Sequence, residues 1–344
     1  MNHPPAPNIS VLMPVHNGEA YLPAALDSIL AQDHADLELV IVDDCSGSAA
    51  AAILADYAAR DGRIRLLRNE EQQGVARTLN RGLAECRGEY TARADADDLY
   101  WPQRLSRQLA FLQANPDIGV VSCGYRRMRE DGEVLDTVKP PTNPAIISFE
   151  RLFLNRLLHP GVMFRTALVR EAGGYDPEYW TAQDSDLWSR LARTARLANL
   201  AEPLVDYRIH AKSVMRSRGE AGRALSYSVP EREIRGYLRS DPGQDALRAA
   251  IELYRGFEWL SPTEARAGER VLREVGAAAA RREPAHVVRH FRRAVARNLV
   301  RLARKHRGLG LLGAASLAVR GMWWRLRPSA SAERAGEGAE LRHA

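Results

Sequence analysis

Two apolar runs, Ile9 to Val15 and Leu37 to Val42, have few polar positions, and between them Leu22, Ala25, Leu26, Ile29 and Leu30 recur at helical spacing. A strand whose apolar residues do not alternate is covered on both faces, which requires a sheet with helices on each side. The pattern then repeats as strand Ile64 to Leu67, helix Val75 to Cys86, strand Tyr90 to Ala94, helix Pro102 to Gln113 and strand Gly119 to Cys123. Pro102 suits a first helical turn, and Asn115-Pro116 stops that helix. This β-α-β-α order predicts an open α/β sheet. From Gly124 to His210 the order is mixed, with a hairpin at Glu130 to Glu133, a helix over Ala145 to Asn155, a strand over Gly161 to Arg165, a helix over Asp186 to Thr194 and an extended Leu204 to Ile209. These read as elements added to the sheet. After about Ser213 only helices are expected, interrupted by Gly and Pro.

The densest chemistry sits directly after the strand Tyr90 to Ala94, where Asp95, Asp97 and Asp98 place three carboxylates within four residues. Such groups repel one another unless they are solvated or bridged by a cation, and a hard divalent ion takes carboxylates, water and substrate phosphates as ligands. In open α/β sheets ligands bind beyond the carboxyl ends of the strands, where this cluster falls. A solvated acidic turn capping the next helix satisfies the same spacing. Asp43-Asp44 closes the second strand and Asn17-Gly18-Glu19 follows the first, so three strand ends deliver polar groups to one edge, although Asp and Asn after strands are also ordinary turn formers. Asp184 and Asp186 open a helix; one is expected to cap it, and the other is free to serve as general base. His210 follows Tyr207-Arg208-Ile209, either as a ligand or as a hydrogen-bonded side chain. Gly308 to Gly313 matches GxGxxG by letter, but a basic helix and not a strand precedes it, so no dinucleotide site is expected there. GxxxxGK[ST], GxSxG and HExxH are absent from the sequence.

Taken in order, the stretches Ile9 to Gly18, Leu39 to Ser46, Gly74 to Gly82, Arg87 to Tyr90, Asp95 to Asp98, His159-Pro160, Gly173 to Asp176, Gln183 to Trp188 and Tyr207 to His210 resemble family 2 glycosyltransferases. The resemblance spans residues 8 to 215. It implies the GT-A fold, an open mixed sheet with helices on both faces, and an inverting transfer of a sugar from a nucleotide-diphosphate donor, UDP-sugar first, to a hydroxyl acceptor in polysaccharide, O-antigen, capsule or glycolipid assembly. It also implies roles. Pro14, Asn17 and Glu19 line the nucleotide pocket; Asp44, with Asp43 beside it, binds the base; Gly74, Arg77 and Asn80 approach base and sugar. Asp95, Ala96 and Asp97 form the DxD-type motif, Asp97 nearest a Mn²⁺ or Mg²⁺ ion and Asp95 toward the ribose, while His210 reaches the metal or phosphates. Asp184 is the catalytic base. Gln183 stands where the family usually has Glu, which puts acceptor contacts more in question than catalysis. A nucleotidyltransferase on a related sheet and an idle sugar-nucleotide-binding or membrane scaffold are the alternatives; the first lacks its Gly-rich loop after strand one, and the second rests on Gln183 alone.

The expected organisation is a flexible 1–7, a transferase domain over 8–215 divided at 127/128 into nucleotide and acceptor parts, a helical 216–328 with a basic tail, and a disordered 329–344. The 344 residues suffice for one large or two ordinary domains. Three separated cysteines make neither a disulfide framework nor a zinc site and suit a reducing compartment, and Met1 to Pro7 has three prolines and no signal-like apolar run. Net charge is +6, yet Pro284 to Ala332 holds ten Arg, one Lys and no acid, leaving the rest of the chain at −5 once those eleven cations are set aside. Codon bias explains Arg over Lys; it does not explain missing acids. Val288, Phe291, Val295, Leu299 and Leu302 fall on one helical arc of about 80°, with Arg293, Arg297, Arg301 and Arg304 opposite. The apolar arc serves either an anionic membrane surface or packing on the body; Leu309 to Val319 is too short to span a bilayer. The expected location is cytoplasmic, peripheral on the inner face of the plasma membrane. Few aromatic residues interleave the basic ones, so nucleic acid is not an expected partner.

Overall fold

The computed structural model describes residues 7–209, 219–256 and 260–305, together with Arg320 and Trp324. Strands β1 (Ile9–Val15), β2 (Leu37–Asp43), β3 (Ile64–Arg68) and β4 (Tyr90–Arg93) are parallel, with helices α1 (Leu22–Leu30), α2 (Ser48–Arg60) and α3 (Val75–Glu85) between them. They continue as β5 (Leu99–Tyr100), α4 (Arg104–Ala114), β6 (Ile118–Met128), β7 (Val134–Val138), α5 (Pro144–Glu150), β8 (Met163–Arg165), α6 (Thr166–Glu171), α7 (Gln183–Leu191) and β9 (Arg196–Arg208). The sheet order is β3-β2-β1-β4-β8-β6-β9-β5, with β7 hairpinned onto β6. It is therefore mixed: β8 runs antiparallel to both β4 and β6, β9 parallel to β6 and β5 antiparallel to β9.

The apolar runs are buried on both faces. Ile9, Val11, Met13 and Val15 pack in one cluster with Leu22 and Leu26 of α1 and Leu105 and Leu109 of α4, while Leu12 and Val40 share another with Leu79 and Leu83 of α3. Gly82 lets α3 lie flat on the sheet: a Cβ there would come within 2.3 Å of Leu12 Cδ1 and 2.9 Å of Val42 Cγ2. A buried polar tie crosses the apolar layer, with Arg104 donating to the Arg93 carbonyl at 2.7 Å and Gln108 to the Gly161 carbonyl at 2.8 Å.

Several elements differ from the sequence expectation. Helix α2 carries only Ala50 and Leu54 as buried residues, so its alanine-rich sequence has almost no periodic signal. The strand expected over Gly161 to Arg165 is a 3-10 turn at His159–Gly161 followed by a three-residue strand. Strand β9 has 13 residues, its pattern broken by Glu202-Pro203 where the register with β6 shifts. Helix α7 starts three residues earlier than expected and ends at Leu191.

The described residues divide into two compact units at 147/148, 154/155 and 225/226, the segment Ser148–Leu154 belonging with the second. That unit contains α8 (Gly219–Leu238, whose first turns lie in the first unit), α9 (Gln244–Arg255), α10 (Pro262–Arg282) and α11 (Ala285–Lys305). The helix expected over Ala145 to Asn155 stops at Glu150 because Phe153 turns to stack on Tyr254, centroids 4.2 Å apart, and on Phe291 at 5.9 Å. The apolar arc of α11 is taken up by the protein, as Val288, Phe291, Val295, Leu299 and Leu302 are at most 3% exposed. Trp324 packs on Phe291 and donates its indole N–H to buried Glu269 at 3.2 Å. The GxGxxG-like stretch and Leu309 to Val319 lie outside the described residues. No described helix is long and apolar enough to cross a membrane.

Candidate active site

β1 lies between β2 and β4, so the segments that follow these three neighbouring parallel strands leave the same edge of the sheet, where ligands bind in open α/β sheets. Residues 16–19, 44–46 and 94–98 are those segments, following β1, β2 and β4. Pro14 sits half-buried opposite Val42, and Glu19 is half-buried beyond the turn.

The turn after β1 is pinned to the one after β2. Asn17, in the left-handed region at φ 59°, donates its backbone N–H to Ser46 Oγ at 2.8 Å and accepts the Gly47 N–H at 2.9 Å. His16 Nδ1 lies 2.8 Å from the Asp44 carbonyl and Nε2 lies 3.1 Å from Asn17 Nδ2, which fixes the proton on Nδ1. Asp43 accepts the Ser46 N–H at 2.9 Å and faces Arg68 at 3.4 Å. Buried Asp44 accepts Asn69 Nδ2 at 2.6 Å, the Gln73 N–H at 2.8 Å and the Gly74 N–H at 2.9 Å. Burial works against its charge, but these hydrogen bonds outweigh it and hold the carboxyl below its usual range. Asp44 thus spends its acceptor capacity on the loop that leads into α3, where Gly74 supplies φ 80°.

A carboxylate with a depressed native pKa contributes stability that is complete above the unfolded value near 4 and is lost as pH falls through the native value. Asp44→Asn keeps one acceptor and presents an NH₂ to backbone donors, so it is expected to cost about 2–3 kcal/mol at pH 7 and to flatten the acid limb of the stability curve. Urea unfolding at pH 7 and pH 3.5 measures both effects.

Helix α3 carries the next candidates. Arg77 and Asn80, with Asn69, Gln73, Arg81 and Pro177, line a polar cleft of about 750 Å³ that takes in none of the three clustered aspartates. Asn80 also clamps the Tyr175 backbone, donating to its carbonyl at 2.7 Å and accepting its N–H at 2.8 Å. Burial raises the Tyr175 phenol above its ordinary range; Arg93 opposes the rise, and the Asp184 and Asp95 carboxylates add to it. His159 Nε2 lies 3.1 Å from that phenol oxygen, and burial, then Arg93, keep the imidazole neutral.

Asp95, Asp97 and Asp98 each present a carboxylate oxygen within 4.8 Å of the others, Ala96 lying half-buried among them. Asp95 pairs with buried Arg93 at 2.6 Å and its backbone is held by the Tyr100 hydroxyl. Asp98 is fully buried; Oδ1 accepts the Arg208 N–H at 2.8 Å, and Oδ2 has no hydrogen-bond partner among the described residues. Burial first, then Asp97 and Asp95, push its pKa well up. Three crowded carboxylates with an orphaned oxygen fit a hard divalent cation. The turn does not cap the next helix, since β5 intervenes and α4 begins at Arg104.

Arg208 was not legible from sequence as a site residue. It donates to the Asp97 carbonyl at 2.8 Å and the Glu130 carbonyl at 2.8 Å, and lies 4.6 Å over the Tyr21 ring. One buried guanidinium thus ties the aspartate turn, the β6–β7 hairpin and the start of α1. His210, two residues on, lies outside the described residues.

Asp184 is in the first turn of α7 but does not cap it, because the cap position is Ala182, without a side-chain bond. Its Oδ1 accepts the Ser185 N–H at 2.7 Å and its Oδ2 accepts Asn155 Nδ2 at 2.8 Å. Asp186 points elsewhere, pairing with Arg190 at 2.8 Å. Gln183 Oε1 is buried without a hydrogen-bond partner among the described residues.

The model of glycosyl transferase family 2 matches residues 10–172. The chain is 34% identical over 229 residues to the O-antigen biosynthesis glycosyltransferase WbnJ of Escherichia coli, covering 65% of this chain and 88% of that one. The chain belongs to glycosyl transferase family 2. This glycosyltransferase is also similar in fold to S. aureus TarS 1-349 in complex with UDP-GlcNAc, at TM-score 0.58 and 20% identity over 92% of this chain and 89% of that one. A second similar fold is the mannosyltransferase PcManGT from Pyrobaculum calidifontis in complex with GDP-Man and Mn²⁺, at TM-score 0.52 and 21% identity over 92% and 88% of the two chains. The GT-A expectation holds, and family membership replaces the nucleotidyltransferase alternative.

Proposed function

We propose that this glycosyltransferase moves a sugar, with inversion, from a nucleoside diphosphate sugar to a hydroxyl of a glycan or lipid-linked acceptor in cell-surface polysaccharide or glycolipid assembly. The observation that carries the reading is the cluster of Asp95, Asp97 and Asp98 just beyond the end of β4, with carboxylate oxygens within 4.8 Å of one another, in a chain of glycosyl transferase family 2. Residues 8–127 serve the nucleotide and 128–215 the acceptor. Asp97, with Asp95 and Asp98, would hold Mn²⁺ or Mg²⁺, which when bound offsets charge growing on the departing diphosphate. Asp184 takes the proton of the attacking hydroxyl, its oxygens aimed by Asn155 and Ser185. Single in-line displacement inverts the anomeric carbon. The Asp44–Gly74 bond sets the start of α3, which lets Gly74, Arg77 and Asn80 face the nucleotide, while Pro14, Asn17 and Glu19 form its other wall. Support for a UDP-sugar donor comes from TarS, bound to UDP-GlcNAc; PcManGT, bound to GDP-Man and Mn²⁺, keeps a guanine donor in the test. WbnJ, named for O-antigen biosynthesis, supports the acceptor class.

The test is a panel of sugar nucleotides with lipid extract as acceptor, reading free nucleoside diphosphate and the anomeric configuration of the product. Release with one donor and inverted product is expected; no release with any donor, or retained configuration, contradicts the reading.

The same reading places the chain on the inner membrane face through the basic side of α11. Supporting it, Arg289, Arg293, Arg297, Arg301 and Arg304 are exposed along one face, and no described carboxylate pairs with them. Like charges at i,i+4 disfavour a helix by a few tenths of a kcal/mol each unless an anionic surface meets them. Contact is then electrostatic and not insertional, at about 1 kcal/mol per arginine. The Arg293→Glu/Arg297→Glu/Arg301→Glu variant is expected to lose more than tenfold in affinity for phosphatidylglycerol vesicles, as the wild type does in 0.5 M NaCl relative to 0.05 M. Co-sedimentation that ignores both changes refutes this placement.

A further inference from the structure

Among the described residues Trp180 is 47% exposed, sharing that degree of exposure among large apolar side chains only with Val134 and Leu135 of the β6–β7 hairpin. An indole is large, rigid and costly to leave in water, and singly exposed residues are ordinary unless other groups converge on them. Here they do. Trp180 lines a groove of about 160 Å³ with Gly74, Ala76, Arg77, Pro177 and Glu178, and this groove shares Gln73, Arg77 and Pro177 with the larger polar cleft. Its backbone is anchored: Trp180 follows the 3-10 turn Pro177–Tyr179, which is capped by Asp176 at 2.9 Å from the Glu178 N–H. On its other side, buried Thr181 donates to the Gly222 carbonyl at 3.1 Å.

Trp180 is four residues before Asp184, and four residues span at most about 14 Å. The groove and the proton acceptor therefore sit on one short segment that runs from the 3-10 turn into the first turn of α7. A pyranose has an apolar C–H face and a rim of hydroxyls; the indole face suits the first, and the Gln73 amide and Glu178 carboxylate beside it suit the second, while Arg77, assigned to the nucleotide, stands where groove and cleft meet. We propose that the Trp180 groove is a saccharide subsite that holds a sugar ring of the acceptor while its hydroxyl is presented to Asp184. This inference rests on the transferase reading for the identity of the saccharide as acceptor.

The experiment is saturation-transfer difference NMR on the full chain with the methyl glycosides of glucose, galactose, mannose and N-acetylglucosamine, and with UDP as a separate probe. The wild type and Trp180→Phe are expected to saturate at least one glycoside, and Trp180→Ala to lose that signal at least fivefold while the UDP signal stays within twofold. Equal glycoside signals in Trp180→Ala, no glycoside signal from the wild type, or parallel loss of the UDP signal would each overturn the subsite. The last would mark the ring as a platform for the donor base. Nucleoside diphosphate release by the wild type is read separately, so a silent donor panel counts against the donor reading while the glycoside signals still decide the subsite.

Discussion

Replacing Asp184 by Asn is expected to lower turnover by about 10²–10⁴-fold, the range general base catalysis supplies, and to leave donor binding unchanged. The exchange removes basicity and little else. Asparagine keeps an oxygen for the Asn155 amide or the Ser185 N–H, now 2.8 and 2.7 Å from the carboxylate, so the first turn of α7 persists. The loss therefore falls on kcat, with the donor KM held within about threefold, and steady-state kinetics of nucleoside diphosphate release separate the two. Asp186→Asn is the contrast. That carboxylate is committed to Arg190, which in turn donates to the Ala172 and Gly174 carbonyls at 2.5 and 2.6 Å, so its variant loses stability before it loses chemistry.

Replacing Asp97 by Asn is expected to reduce metal-dependent transfer by about 10²–10³-fold, comparable to losing one preorganised charge-stabilising group. Unlike fully buried Asp98, Asp97 is partly exposed, so the change spares the fold and thermal unfolding should shift little. Raising Mn²⁺ restores part of the activity if Asp95 and Asp98 retain a weakened site. Unchanged metal dependence in this variant would remove Asp97 from the ion-binding set.

The centre of the sheet was readable because β1, β2 and β4 are covered on both sides; every residue of β2 is buried. What escaped had no such signature. Helix α2 buries two side chains, and β9 is interrupted by a proline at a register shift, so neither keeps a clean period. The acidic groups at the ends of β2 and β4 were also readable, since strand ends of an α/β sheet are where ligand groups gather. The side chains that aim them were not. Arg208 meets Asp97 across 111 residues of sequence, Asn155 meets Asp184 across 29 and Asn80 meets Tyr175 across 95, and no local pattern encodes such pairings. The tail shows the converse case. Its periodicity identified an amphipathic helix correctly, but an apolar arc reads the same whether it faces lipid or the rings of Phe149, Phe153 and Tyr254.

Calorimetric titration of UDP and GDP into the wild-type chain, with and without Mn²⁺, bears most directly on the aspartate cluster. Three carboxylates within 4.8 Å of one another repel a diphosphate unless a cation lies between. At least one nucleotide is expected to bind tenfold or more tightly with Mn²⁺, and that gain to vanish in Asp97→Asn. Equal affinities with and without the ion, for both nucleotides, would contradict a metal-bridged diphosphate at this site.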